Sequence, residues 1–308
     1  MSIVLSTTIL GSNSALPAFG RHPTAQVLQC DQSTYLIDCG EGSQMQLRRY
    51  GVKFQRIKAI FISHLHGDHY FGLVGLLNSM NLLGRNMPLV IVGPSELQEI
   101  INIQQAVGRS GIDYDIEFVS TSHIDRKAKA LIYADKQMRV EAFGLKHRIH
   151  CVGFRFEQQP KPRTYLPEMG NAYGVKIKDI PAIKRGEDFI TAKGNVISNE
   201  LITNAPPTPK SYAFCTDTLP LDSTVEHVAN VDCLYHESTF LETEIKRAKS
   251  TFHTTAKQAA QIAASANVKQ LLLGHFSARY QDLEPFNHEA KTVFENSELS
   301  LEGNTYFI

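Results

Sequence analysis

The chain lacks several features that would have narrowed its role at once. It lacks net charge: 31 lysines and arginines balance 31 aspartates and glutamates over 308 residues. No global positive field therefore recruits a polyanion, and any contact with nucleic acid has to be local. It lacks paired cysteines. The five, Cys30, Cys39, Cys151, Cys215 and Cys233, are scattered with no CxxC pair, which argues against a disulfide framework and for a reducing compartment, the cytoplasm. It lacks a long apolar run. Nothing approaches the roughly 18 residues of a membrane span, and MSIVLSTTILGSNSA at the start has neither a basic n-region nor a long apolar core. Neither a membrane anchor nor an export signal is expected. Repeats at solenoid spacing and low-complexity tracts are missing too.

What is present is 43% apolar residues, ample for a buried core. Short apolar runs bounded by turn residues read as strands: SIVLSTTIL, AQVLQC, STYLIDCG, IKAIFISH and PLVIVG in the first half, then MRVEAFGLKH, CVGFRF, SYAFCTD, DCLYHE and QLLLGH in the second. QMQLRRYG, the stretch from Tyr70 to Leu83, and SELQEIINIQQAVG after Pro94-Ser95 have helical spacing. TTAKQAAQIAASA is an alanine-rich helix opened by threonines suited to capping. Strands clustered in each half with helices between them predict an α/β fold in four layers, two sheets face to face with helices outside, as one domain over residues 1–308. The segment from about residue 157 to 208 breaks this rhythm with PKPR, PEMGNAYG, DIPAIKRGED and NAPPTPK, and reads as an excursion from the core.

The densest chemical signal is Ser63-His64-Leu65-His66-Gly67-Asp68-His69, four metal-ligating side chains in six positions just after the apolar run KAIFI. A loop at a strand end can aim alternate imidazoles and carboxylates at two ions, with Gly67 relieving the backbone, and the ligand types suit zinc. A polar turn that merely happened to be rich in histidine would carry charge and desolvation cost without return. Downstream, His147, Asp217 and His275 each end an apolar run, and His150 competes with His147. Spacing alone leaves each of them open to a packed or surface reading.

The HxHxDH pattern resembles the metallo-β-lactamase superfamily, and further blocks narrow the likeness to the ribonuclease Z branch over nearly the whole chain. Those blocks are Asp38-Cys39-Gly40-Glu41-Gly42-Ser43-Gln44, the extended Ser63–Leu73 stretch, His236-Glu237-Ser238-Thr239-Phe240 and Gly274-His275-Phe276-Ser277-Ala278-Arg279-Tyr280. The resemblance implies a four-layer αββα fold with an inserted flexible arm and two zinc ions. One ion would be held by His64, His66 and His147, the other by Asp68, His69 and His275, with Asp217 bridging. It further implies that Asp68 serves as proton acceptor and that His253, in Phe252-His253-Thr254-Thr255, meets the scissile phosphate or the leaving oxygen. His236 and Glu237 would orient ligands from behind or form a buried structural pair. The implied activity is endonucleolytic removal of the 3′ trailer from precursor tRNA, by a homodimer; a small-molecule phosphodiesterase or arylsulfatase-like hydrolase on the same scaffold is the alternative.

The excursion falls where that family carries an arm that binds tRNA, and Lys161, Arg163, Lys176, Lys178, Lys184 and Arg185 make it basic, with Arg155 just before it. This chain departs from the family at three places, one being Thr254, where the family loop has serine after its histidine. VKIKDIPAIKRGED stands where the family arm has a glycine- and proline-rich stretch, and Phe19 stands where a lysine is common in a loop that senses the CCA end. An aromatic ring there could stack on an unpaired base instead.

Overall fold

The computed structural model describes residues 5–109 and 111–308. Ser2–Val4 of the first expected strand lie outside them. Among the described residues, no helix is long and apolar enough to cross a membrane.

Six strands come first: β1 (Leu5–Gly11), β2 (Ala25–Cys30), β3 (Ser33–Ile37), β4 (Ile57–Phe61), β5 (Leu89–Gly93) and β6 (Ile116–Ser120). Then come β7 (Lys129–Ala134), β8 (Met138–Gly144), β9 (Val152–Gln158), β10 (Ser211–Cys215), β11 (Cys233–Glu237), β12 (Gln270–Gly274) and β13 (Ser297–Leu299). The last, β14 (Thr305–Phe307), returns to the first group. They form two seven-stranded sheets, ordered β14-β1-β2-β3-β4-β5-β6 and β13-β12-β11-β10-β9-β8-β7. Strands β3 to β6 run parallel in the first, β10 to β13 in the second. Parallel strands are covered on both faces, which is why AIF of β4 and LLL of β12 are continuous apolar runs instead of alternating.

Aromatic rings fill the space between the sheets. Phe61 of β4 meets Phe154 and Phe156 of β9 edge-on at 5.5 and 5.1 Å, and Tyr35 of β3 meets Tyr133 of β7 at 5.9 Å. The outer face of the first sheet packs Ile60 and Ile91 with Leu47, Leu76, Met80, Leu97 and Ile101 from its helices. The outer face of the second packs Leu234, Leu271 and Leu273 with Ala256, Ala259, Ala260 and Ala263 of the alanine-rich helix. That helix spans Ala256–Ser265, and its start is a capping box: Thr255 accepts from the Gln258 backbone while the Gln258 side chain accepts from Thr255. The four expected layers are therefore present.

One expectation needs correction. The helix expected from Tyr70 to Leu83 is two elements, a turn at Gly67–Tyr70 and a helix at Leu73–Leu82. They part at Gly72, whose amide bonds to the Cys39 carbonyl and where a Cβ would lie 2.2 Å from the Gly40 oxygen. The loop after β3 needs that close approach more than the helix needs continuity. The excursion, residues 158–209, is a compact unit of its own with short elements. Thr164–Tyr165 pairs with Thr203–Asn204, Phe189–Ile190 with Val196–Ile197, and helices span Pro167–Ala172, Ile180–Lys184 and Asn199–Ile202. Its small core is tied by buried Asn199, which donates to the Ile183 and Glu187 carbonyls and accepts from Thr203.

Candidate metal centre

Every candidate ligand sits where a strand hands over to a loop. The His64–His69 loop follows β4, His147 follows β8, Asp217 follows β10 and His275 follows β12. Carboxyl ends of parallel strands open into a crevice, and here two sheets contribute to one crevice. The backbone is left-handed at Ala15, Asp38, Phe252 and His275 (φ 64, 53, 64 and 58°), all around this point. Such strain persists only where surrounding contacts over-determine it.

Asp217 divides the donors in two. Its Oδ2 lies 3.6 Å from His64 Nε2 and 3.5 Å from His147 Nε2, and His66 Nδ1 is 3.1 Å from both of those nitrogens. Its Oδ1 lies 3.4 Å from His69 Nε2 and 3.1 Å from His275 Nε2, each of which is 3.5 Å from Asp68 Oδ2. A tetrahedral ion with bonds of about 2.0–2.1 Å holds neighbouring donors about 3.3 Å apart, the spacing found here. His69 Nε2 and His275 Nε2 are buried with no hydrogen-bond partner. Orphaned imidazole nitrogens facing carboxylate oxygens at these distances fit a metal and little else. Within each of the groups His64-His66-His147-Asp217, Asp68-His69-His275 and Asp217-His253-His275 the potential ligand atoms lie within 4.8 Å of one another. This is a metal-binding site.

The opposite ring nitrogens of four of the five histidines are held. His69 Nδ1 is 2.7 Å from Asp38 Oδ2, His64 Nδ1 3.0 Å from Ser63 Oγ, His147 Nδ1 3.2 Å from the Phe252 carbonyl, and His275 Nδ1 2.9 Å from Thr239 Oγ1. Partners of this kind fix ring orientation and tautomer. Asp38 also accepts from the Ser63 amide and hydroxyl, so one carboxylate braces both the loop and its last ligand. Burial lowers the pKa of His64 well below its ordinary value, and those of His66 and His147 less so, which favours the neutral ring that a metal requires. Burial alone would raise Asp217, but the charges of His275 and His69 overcome it and hold the carboxyl well below its usual range.

His147 and not His150 reaches the centre; His150 is exposed. Asp68 is also tied to the N-terminal loop, its Oδ2 accepting from the Ala15 amide at 2.7 Å. His253 lines the same cleft of about 220 Å³ with His66, Asp68, His147 and Asp217. Its Nδ1 donates to Glu237 Oε1 at 3.0 Å. Burial would depress it, but the Glu237 and Asp217 charges lift it to about 9. Glu237 is buried and fully engaged, accepting also from the Thr218 amide and from the amide and hydroxyl of Thr239. His236 turns the other way, in register between Cys215 and Leu273, with Nδ1 against the Glu237 carbonyl and Nε2 buried without a partner. It touches no candidate ligand, because alternate residues of a strand face opposite sides.

Sequence reasoning assigned no role to Asp38, Ser63 or Thr239. All three lie inside or beside the motif blocks, which was the only available signal. Phe19 is 54% exposed, with the Arg21 guanidinium 5.4 Å from its ring centre.

The layered sheets and paired donor sets define a metallo-β-lactamase fold carrying a metal centre. The metallo-β-lactamase fold protein YhfI from Bacillus subtilis superposes with a TM-score of 0.68 at 17% identity, covering 99% of this chain and 100% of its own. A family profile described as Anti-Pycsar protein Apyc1 matches residues 5–138. Human tRNase Z, short form, superposes with a TM-score of 0.68 at 26% identity over 98% of both chains. A protein named Ribonuclease Z from Parabacteroides distasonis is 44% identical over 295 residues, 96% of each chain. At that identity and coverage, the chain belongs to the ribonuclease Z family.

Proposed function

We propose that the protein is a zinc-dependent endoribonuclease that removes the 3′ trailer from precursor tRNA, leaving a 3′-hydroxyl on the tRNA and a 5′-phosphate on the trailer. The observation that carries the chemistry is Asp217, whose two oxygens face two separate donor sets across less than 4 Å. His64, His66 and His147 would hold one zinc, and Asp68, His69 and His275 the other, with Asp217 shared. Two bound divalent ions supply charge neutralisation at the phosphoryl oxygens and a lowered pKa for a shared water.

The side chains then divide the remaining work. Asp68 accepts a proton at its carboxylate, held in place by the Ala15 amide. His253 donates a hydrogen bond, then its proton, to the leaving 3′ oxygen, and Glu237 keeps the ring aimed and charged. The tRNA substrate rests on the family relation and on the arm. Lys161, Lys176, Lys178 and Arg185 are exposed there, Lys184 is half-buried, and Arg163 is half-buried with its Nε bonded to Thr203. Over residues 158–209 seven lysines and arginines face five aspartates and glutamates, a margin of two and smaller than the flanking stretch alone suggests. Pairing of two subunits belongs to the same reading. Exposed Leu82, Leu83, Ile103 and Val107 on the helices outside the first sheet support it.

The deciding experiment is cleavage of a labelled precursor tRNA by zinc-loaded protein, alongside Asp68→Ala and His253→Ala, with the cut mapped to the nucleotide. A single zinc-dependent cut beside the discriminator, lost in Asp68→Ala, is the expected result. Hydrolysis of bis(p-nitrophenyl) phosphate without any such cut would move the substrate to small diesters.

A further inference from the structure

Three clefts lie side by side around the metal centre. The middle one, about 220 Å³, includes His147, Arg148 and His253 among its walls. His147 and Arg148 are shared with a second cleft of about 330 Å³, where Arg126 and His150 add cationic or polarisable edges. His253 is shared with a third of about 380 Å³, walled by Leu219, Pro220, Ile245, Lys249 and Gln258. One neighbour is basic and the other mainly apolar.

Arg148 is the unusual residue in this row. It is exposed, the one hydrogen bond of its guanidinium is a long donation of 3.5 Å to the Ser250 carbonyl, and no carboxylate pairs with it among the described residues. Asp125 shares the basic cleft, but its Oδ1 accepts from the Lys127 and Ala128 amides and the carboxylate forms no ion pair with Arg148 among the described residues. A guanidinium left without an anion beside a metal-ligating histidine presents its donor fork to a phosphate.

We propose that the outer clefts divide the RNA at the scissile bond: the apolar one seats the nucleoside on the 5′ side, and Arg148 holds a phosphate of the 3′ trailer. This rests on the reading of His253 as donor to the leaving 3′ oxygen. The sugar bearing that oxygen then lies on the His253 side, next to Leu219, Pro220 and Ile245, where a base sheds water from its faces. In-line displacement puts the attacking oxygen opposite the leaving one, so the trailer's O5′ is equatorial and the trailer diverges sideways; the cleft left to it by the 5′ nucleoside is the one walled by His147 and Arg148. Arg148 is thus a positioning residue, acting on substrate phosphate beyond the bond that breaks.

The test compares zinc-loaded wild type, Arg148→Ala and Arg148→Lys on precursors with a ten-nucleotide trailer and a one-nucleotide trailer, which has no phosphate beyond the scissile one. On the long trailer, Arg148→Ala raises KM on the order of tenfold with kcat nearly unchanged, and Arg148→Lys restores part of it. On the short trailer the variants match wild type. Equal losses on both trailers, or none on the long one, overturn the assignment of Arg148. For the apolar cleft, an abasic nucleotide 5′ of the cut costs wild type about fivefold, and Ile245→Asn abolishes that sensitivity; an unchanged abasic penalty overturns this half. If wild type fails to cut either precursor beside the discriminator, the proposed function falls and the strand assignment with it. If wild type cuts and only the trailer or abasic dependence is missing, the strand assignment alone falls.

Discussion

At the metal centre His64, His69, Asp217 and His275 are buried and the second ring nitrogens of His64, His69, His147 and His275 are braced, whereas in the arm Lys161, Lys176, Lys178 and Arg185 stand in solvent. The arm's one buried polar knot, around Asn199 and Thr203, serves its own folding. The difference follows from what each region has to hold. Donors for a metal must be fixed to a fraction of an ångström, since misplacement of about 1 Å can cost on the order of 10²-fold in rate. A phosphate backbone is met by charge within reach, with screening and counterion release setting the strength.

The sharpest way to break this contrast is at its rigid end. Asp217→Ala removes the shared carboxylate, and we expect at least about 10³-fold loss in kcat on precursor tRNA and on bis(p-nitrophenyl) phosphate alike. A chelator should do the same, and zinc should restore wild type only. Loss on one substrate and not the other would show that Asp217 is not common to the chemistry. His253→Ala comes next, at about 10²- to 10³-fold on precursor tRNA. On the small diester it should cost far less, because p-nitrophenolate leaves without a proton. Equal losses on the two substrates would remove His253 from the leaving-group side.

Replacing residues 160–200 with a short flexible linker should lower kcat/KM for precursor tRNA about 10²-fold, mainly through KM, with a much smaller effect on the small diester. The loss should shrink as salt rises, since the contacts it removes are ionic. Asp38→Asn probes the bracing: zinc affinity, read by competition with a chromophoric chelator, should weaken about 10- to 100-fold. Unchanged affinity would make Asp38 a purely structural carboxylate.

The smallest effect belongs to a carboxylate that is part of neither region. Asp135 accepts from Tyr35, Tyr133, Lys58 and the Gln137 and Met138 amides. Burial would raise its pKa, but these bonds and the lysine hold it below the ordinary value. Its contribution to stability is therefore complete above the unfolded pKa of about 3.9 and fades as pH falls through the lower folded value. Asp135→Asn should cost about 1 kcal/mol at neutral pH, seen as a Tm lower by a few degrees, and should flatten the acid limb of the Tm–pH curve below about pH 4. A variant with the wild-type acid limb would show that the charge at Asp135 contributes nothing.

The same contrast explains which parts of the molecule could be read before it was folded. The interior parallel strands stood out because two-sided burial makes them short apolar runs, and the interior antiparallel ones because apolar residues alternate along them. The strands missed were β6, β7, β13 and β14, the four edges of the two sheets. Edge strands such as Ile116–Ser120 are only half-covered, so their composition is mixed and their pattern weak. Local spacing alone determined the dense part of the centre, because a loop of six positions after β4 brings His64, His66, Asp68 and His69 together whatever the rest of the chain does. The capped alanine helix was equally local.

The tertiary structure decided what depends on contacts distant in sequence. It brought His147 in and left His150 out, since the turn after β8 points one imidazole at Asp217 and the other at solvent. It turned Glu237 toward His253 and His236 away, a consequence of strand alternation that the motif block does not display. It set Asp38 behind His69 across 31 positions of chain and Thr239 behind His275 across 36, pairings that exist only once neighbouring parallel strands of each sheet have aligned. Ligand identity was written in adjacent residues, whereas ligand orientation needed the fold.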